Sequence, residues 1–413
     1  MKKKSLHYGW VIAIGCMLSL TFTQGLVFNA FGLFIVPICE ELGCSRTSVT
    51  VCQTMFQISG MVASFSAGIL YSKFRLKRVM EICSVVTAAA LIGFTFARTT
   101  LVMTVLSLIM GLFGQVMGWI PTSIFINNWF DKDRNTATGL AMTGSNVGGA
   151  LFSVLTGIII GDLGWRMTYR LFAVAGFVLL FVINFIVMKE RPEDVGLKPY
   201  GAGDGAAEAR ELVLTGPGVK KVLRMPAFYM ICASSFLLCM SSNSVNATLS
   251  AHMRDMGMAE STASYMFTVY MAGVFFSKLL MGRLFDRIGL TKTLVLGAVA
   301  EAAGVVLLIF SRTVIIAAAA GIVVSLGNAM GPLMSPAITR ELFGSRDYSA
   351  ITGYLATATS VGGMIAVTAM GVVRDAAGSY TPGYIVLAPL VLLTAAGYTL
   401  AIRSAKRKQA EGA

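Results

Sequence analysis

The sequence predicts an all-α membrane protein with 12 transmembrane helices arranged as two pseudo-symmetric six-helix bundles. Three observations carry that reading. The 413 residues are 56% hydrophobic and only 13% charged, far from the average of a soluble domain. Apolar runs of about twenty residues, the length that a hydrocarbon core of roughly 30 Å demands, recur from one end to the other. A constant offset of 214 residues, the step from Asn29 to Asn243, relates the two halves.

Taken in order, the apolar runs place spans at 9–36, 47–71, 79–97, 101–126, 137–161, 167–188, 226–250, 261–284, 293–311, 314–338, 350–373 and 383–402. The basic start, MKKK, leads into a run that continues to about Val36 without a small-residue cleavage site, so it reads as a first spanning helix and not as a signal peptide. Residues 189–225 are the one long polar stretch, rich in Gly, Pro and charge, as linkers are. The expected domains are an N-terminal bundle at 1–188, a cytoplasmic linker at 189–225, a C-terminal bundle at 226–402 and a cytoplasmic tail at 403–413.

The net charge of +13 lies in short clusters between the runs, such as Lys73, Arg75, Lys77 and Arg78, or Arg403, Lys406, Arg407 and Lys408. Lys and Arg are retained on the cytoplasmic side, so both termini are expected there, in a bacterial-type inner membrane. A lipid bilayer, and no nucleic acid, is the partner this pattern implies. The seven cysteines fall mostly inside apolar runs and form no metal pattern; only Cys39 and Cys44 share a loop. With no soluble catalytic domain, no cluster of catalytic residues and no cofactor motif, an enzyme is not expected.

Under the offset, Gly43 falls on Gly257, Gly68 on Gly282, Gly139 on Gly353, Gly148 and Gly149 on Gly362 and Gly363, and Gly157 on Gly371. Six spans is an even number, so both copies run the same way: a parallel repeat, whose substrate site is expected near the bilayer midplane where the halves meet. Lys278 stands out against it. It lies in the eighth run and falls on Ser64, so the scaffold is repeated and the charge is not. An ionisable group inside a spanning helix costs roughly 2.5–3.5 kcal/mol at the centre and marks a functional site by default. The bland alternative is a lysine snorkelling to the interface one turn away.

The stretch GRLFDRIGLTK, with Gly282, Asp286, Arg287, Gly289 and Lys292, resembles the loop motif of the major facilitator superfamily. That resemblance implies the major facilitator fold, a gating role for Gly282, Asp286, Arg287 and Gly289, and secondary transport by alternating access. The first-half counterpart, GILYSKFRLKR, departs from it at Ser72 and Arg75. Tyr8-Gly9-Trp10, Asn128-Trp129-Phe130, RPEDVGLKPYG at 191–201, Glu341-Leu342-Phe343-Gly344 and GVVRDAAGSY at 371–380 look like the monocarboxylate transporter and oxalate/formate antiporter branch. In that branch a basic residue four before the motif's first glycine binds the substrate carboxylate. Lys278 occupies that position with a point charge in place of an arginine fork.

The same resemblance makes the fourth span cavity-lining, so Gln115 and Trp119, four apart, are expected on one face as hydrogen-bond donor and apolar wall. Asn29 and Asn243 are pseudo-symmetric amides of the first and seventh spans, and Gln24, Asn146, Asn328 and Tyr354 are further lining candidates. Relatives carry a cation where Phe28 stands, an acid where Val274 stands and a second cation in the eleventh span, and this chain has none of them. A lone cation suits a small organic anion with one charge, a monocarboxylate, carried with a proton on Lys278 itself by a functional monomer. The alternatives are an oxalate/formate-type exchanger and a drug or metabolite efflux pump. The pump would want an acid in the cavity, and only Glu301, in the peripheral ninth span, offers one; a structural bond is the expected role there.

Overall fold

The computed structural model describes residues 7–29, 31–44, 46–202 and 216–410. Two compact units divide the chain, Met1–Leu212 and Val213–Ala413. The first contains α1 (Tyr8–Leu20), α2 (Ile35–Leu42), α3 (Arg46–Lys73), α4 (Leu76–Phe94), α5 (Thr100–Val116), α6 (Trp119–Trp129), α7 (Arg134–Met142) and α8 (Gly144–Phe181). The second contains α9 (Val219–Val222), α10 (Pro226–Asp255), α11 (Glu260–Ile288), α12 (Leu290–Ile309), α13 (Val314–Asn328), α14 (Met330–Ile338), α15 (Tyr348–Ala377) and α16 (Thr381–Ala410). Helices satisfy every backbone group within the segment, which is what a span without water requires.

Among the described residues, nine helical stretches are long and apolar enough to cross a membrane. Several expected spans are interrupted instead of continuous, each for a local reason. The first leaves α-geometry at Thr21, where a π-helical stretch, Thr21–Asn29, precedes α2. There Thr21 and Thr23 donate their hydroxyls back to the carbonyls of Met17 (2.9 Å) and Ser19 (3.0 Å), a habit that bends helices. The fourth breaks between α5 and α6 at Gly118, whose ψ of −123° no helix contains. The tenth turns π-helical at Thr339–Phe343 after Pro336, which has no N–H to give the ladder. The twelfth does not end at 402: α16 continues to Ala410, through residues assigned above to the tail.

The outward surface is apolar, with Leu101 75%, Ile158 67% and Ile315 82% exposed, as lipid-facing side chains should be. Inside each unit, small residues let helices touch. A Cβ on Gly148 of α8 would collide with the Thr21 carbonyl, and one on Gly362 of α15 would collide with the Phe236 carbonyl. These two glycines are 214 apart, and the repeat recurs in the caps. Gly43 and Gly257 end helices at φ 62° and 87°, and Thr99 and Thr313 each accept the N–H three residues on at 3.4 Å. The loop motif departs where its glycine is missing: Gly289 joins α11 to α12 at φ 84°, whereas Arg75 enters α4 at φ −62°.

Candidate functional site

Lys278 lies on α11 and is 4% exposed. The side of α11 around it is fixed against α13. Ser325 donates its hydroxyl to the Ile322 carbonyl at 2.6 Å, so Ser277 is left to donate to Ser325 at 2.9 Å. One turn earlier, Gly273 has no room for a Cβ beside the Ser325 hydroxyl. Val274, where relatives carry an acid, is a buried member of the apolar core. The lysine's repeat counterpart, Ser64, returns its hydroxyl to the Gly60 carbonyl of its own helix at 3.0 Å.

Glu301 of α12 is fully buried and joins three helices. Its Oε1 accepts the hydroxyls of Ser241 (3.0 Å) and Ser242 (3.1 Å) from α10. Its other side presses on Gly327 of α13, where a Cβ would collide with the carboxyl group. Oε2 has no hydrogen-bond partner among the described residues. Glu301→Gln keeps an oxygen for both serines, whereas Glu301→Ala strands two buried hydroxyls and opens a cavity. The alanine variant is therefore expected to lose about 2–4 kcal/mol, read as a melting temperature lower by roughly 5 °C or more in detergent, with glutamine close to wild type.

Of the lining candidates from α10 and α13, one meets that cluster. Asn328 donates to the Ser242 carbonyl at 3.4 Å, while Asn243 donates to Cys239 of its own helix at 2.9 Å and packs on Gly363 of α15. Tyr354, on α15, is half-buried.

In the first unit, Gln24 donates to Gln115 Oε1 at 3.1 Å, so these amides meet across the π-helical stretch and the end of α5. Trp119 does not share a helical face with Gln115. The break at Gly118 puts them on successive helices, α5 and α6, so the four-residue spacing does not stack them. Asn146 lies near the start of α8 and accepts the Ser145 hydroxyl at 3.4 Å. Asn29 ends the π-helical stretch; its side chain, like that of Phe28, lies outside the described residues. In the loop motif, Asp286 is half-buried and Arg287 exposed near the end of α11, and Gly282 is buried one turn from Lys278. Cys39 and Cys44 are not joined by a disulfide.

Two sets of contacts around these residues were not anticipated from the sequence. The Ser277–Ser325 pair and the two serines on Glu301 are ordinary residues of apolar helices, and their only signal was position beside an ionisable or glycine residue.

A family model described as Major Facilitator Superfamily matches residues 17–238 and again residues 231–413, one match for each half. Monocarboxylate transporter 13 of Bos taurus is 23% identical over 393 residues, which are 93% of this chain and 87% of that protein. The probable hexose phosphate transport protein of Chlamydia trachomatis is 25% identical over 173 residues, 41% of this chain and 37% of that protein. The solved structure of the fucose:proton symporter FucP of E. coli matches with a TM-score of 0.70 at 16% identity, over 97% of this chain and 99% of that one. That last likeness is one of fold.

Proposed function

The chain belongs to the major facilitator superfamily, and from that premise we propose that it carries a small organic anion, a monocarboxylate, by alternating access with Lys278 binding the carboxylate. Membership makes it a secondary-active transporter of a small molecule across a membrane and not an enzyme, with the all-α, multi-span fold of that family.

The observation that carries the anion reading is Lys278: a cation 4% exposed, in a spanning helix, four residues before Gly282. An ionisable side chain buried in a spanning helix marks a functional site by default, and an anion is what a lysine would bind there. Burial also speaks against a side chain that merely reaches for the interface. The two transport relatives are named for monocarboxylate and hexose phosphate, both of them anions. One cation suits one charge better than two, which favours the monocarboxylate. Gln115, Trp119, Asn29, Asn243, Asn146 and Tyr354 complete the proposed substrate path, and Gly282, Asp286, Arg287 and Gly289 the proposed gate. With valine at 274, the proton of a symport would travel on Lys278. Exchange of one anion for another is the competing mode.

The proposed setting is a bacterial-type cytoplasmic membrane, with 12 helices in bundles 1–188 and 226–402 and both termini inside. The protein would act as a monomer. Counterflow of radiolabelled acetate, lactate, pyruvate, formate and oxalate into proteoliposomes tests the substrate class. Uptake of a monocarboxylate is expected. Preference for oxalate moves the reading to an exchanger, and uptake of none removes the anion.

A further inference from the structure

Three stretches singled out in the sequence for their resemblance to one transporter branch, Tyr8-Gly9-Trp10, Asn128-Trp129-Phe130 and the 191–201 segment of the linker, come together at one end of the first unit. The end of the sixth span and the linker's start are bound first. Tyr8 donates its hydroxyl to the Val187 carbonyl at 2.8 Å, Trp129 its indole N–H to Lys189 at 2.8 Å, and Asn128 its amide to Glu190 at 3.1 Å. The chain then makes a short 3-10 turn, Pro192–Val195, and returns. At Tyr200 it pairs with the loop after α6. The Tyr200 N–H donates to the Trp129 carbonyl at 2.8 Å, and its carbonyl accepts from Asp131 (2.9 Å) and Lys132 (3.1 Å). The Tyr200 ring packs on His7, Trp10 and Phe130 with centroids 5.5, 5.8 and 5.6 Å away. Gly201 closes the contact at φ 84°, and a Cβ there would collide with the Lys132 side chain.

The linker's other end does the same on the second unit. Gly216 lies at φ 108°, and a Cβ there would collide with the Phe343 carbonyl. Three residues on, the Val219 N–H at the start of α9 donates to Asp347 Oδ2 at 2.7 Å. The two receiving loops are the same loop of the repeat. Trp129 falls on Phe343, Phe130 on Gly344 and Asp133 on Asp347 under the 214-residue offset.

We propose that the linker is a two-ended strap, clipped by a glycine contact onto the repeat-equivalent loop of each unit, 129–133 and 343–347, instead of a free tether. Each clip needs glycine twice over. Its φ is one that side-chain-bearing residues rarely adopt, and its Cβ position is filled. Residues 203–215, which lie between the clips, are outside the described residues. The inference does not rest on Lys278 or on the nature of the substrate.

Hydrogen–deuterium exchange on the full-length protein in detergent or nanodiscs reads both clips. In the wild type, the amides of Asp131, Lys132, Tyr200 and Val219 are expected to exchange at least about tenfold more slowly than unstructured peptide. Gly201→Val should remove that protection at Asp131, Lys132 and Tyr200 while leaving Val219 unchanged, and Gly216→Val should do the reverse. The unaffected end in each variant shows that the protein is folded. Exchange at the unstructured rate in the wild type, retention of protection in either valine variant, or loss at both ends from one substitution would each overturn the proposal.

Discussion

Replacing Lys278 with methionine is expected to lower uptake of the transported monocarboxylate by about 30-fold or more without lowering the stability of the protein. The factor is what about 2 kcal/mol represents, the lower end of what is lost when one partner of a desolvated charge pair is truncated. The side chain is 4% exposed, so a carboxylate that reaches it does so with little water to screen the attraction. Methionine keeps the unbranched stem and removes the charge. Because an ionisable group in a spanning helix is itself costly, the empty variant should melt at or above the wild-type temperature. Loss of transport together with a fall in melting temperature would mean that Lys278 holds the fold, not the substrate. Lys278→Arg separates binding from proton transfer, since arginine stays charged at every working pH. Uptake by that variant should persist but lose the pH dependence of the wild type. An unchanged pH profile would exclude the lysine as the proton carrier and leave exchange as the mode.

Lys278 stood out in the sequence because ionisable residues are rare in spanning helices, and its spacing from Gly282 needed no structure to read. Its surroundings were not. Ser277 and Ser325 are 48 residues apart and Ser241 and Glu301 are 60 apart, and no local pattern announces which hydroxyls will meet across helices. The repeat was legible for the same reason that the caps coincide: Gly43 and Gly257, or Thr99 and Thr313, do the same local work in each unit. Hydrophobic runs located the spans but not their interruptions. A π-helical stretch at Thr21–Asn29 or a break at Gly118 leaves the composition of the run unchanged, and that is why Gln115 and Trp119 were placed on one face. The loop motifs were visible as words without their meaning, since the contact between Trp129 and Tyr200 joins segments that composition had assigned to a bundle and to a linker.

Gly148→Leu and Gly362→Leu are expected to destabilise the protein more than any exposed substitution, by about 3 kcal/mol each. Between helices in a membrane there is no hydrophobic driving force, because lipid tails are as apolar as leucine, so close packing of backbones has to supply the attraction. In the first unit that approach is at Gly148, which meets the backbone of Thr21 and of Gly25. In the second it is at Gly362 against the backbone of Phe236. A leucine at either position must push α8 off the first span or α15 off α10, because the atom it meets is a main-chain carbonyl and not the end of a flexible side chain. The same substitution at Gly371 supplies the control. It lies on α15 with nothing within 4 Å of its Cβ position, and replacing a helical glycine there removes an entropic cost of roughly 0.5–1 kcal/mol. Thermal unfolding in detergent should therefore rank the three variants with Gly371→Leu at or above wild type and the other two well below it. Equal melting temperatures for Gly148→Leu and Gly371→Leu would show that the crossing has slack, and that the repeated glycine marks ancestry without carrying packing.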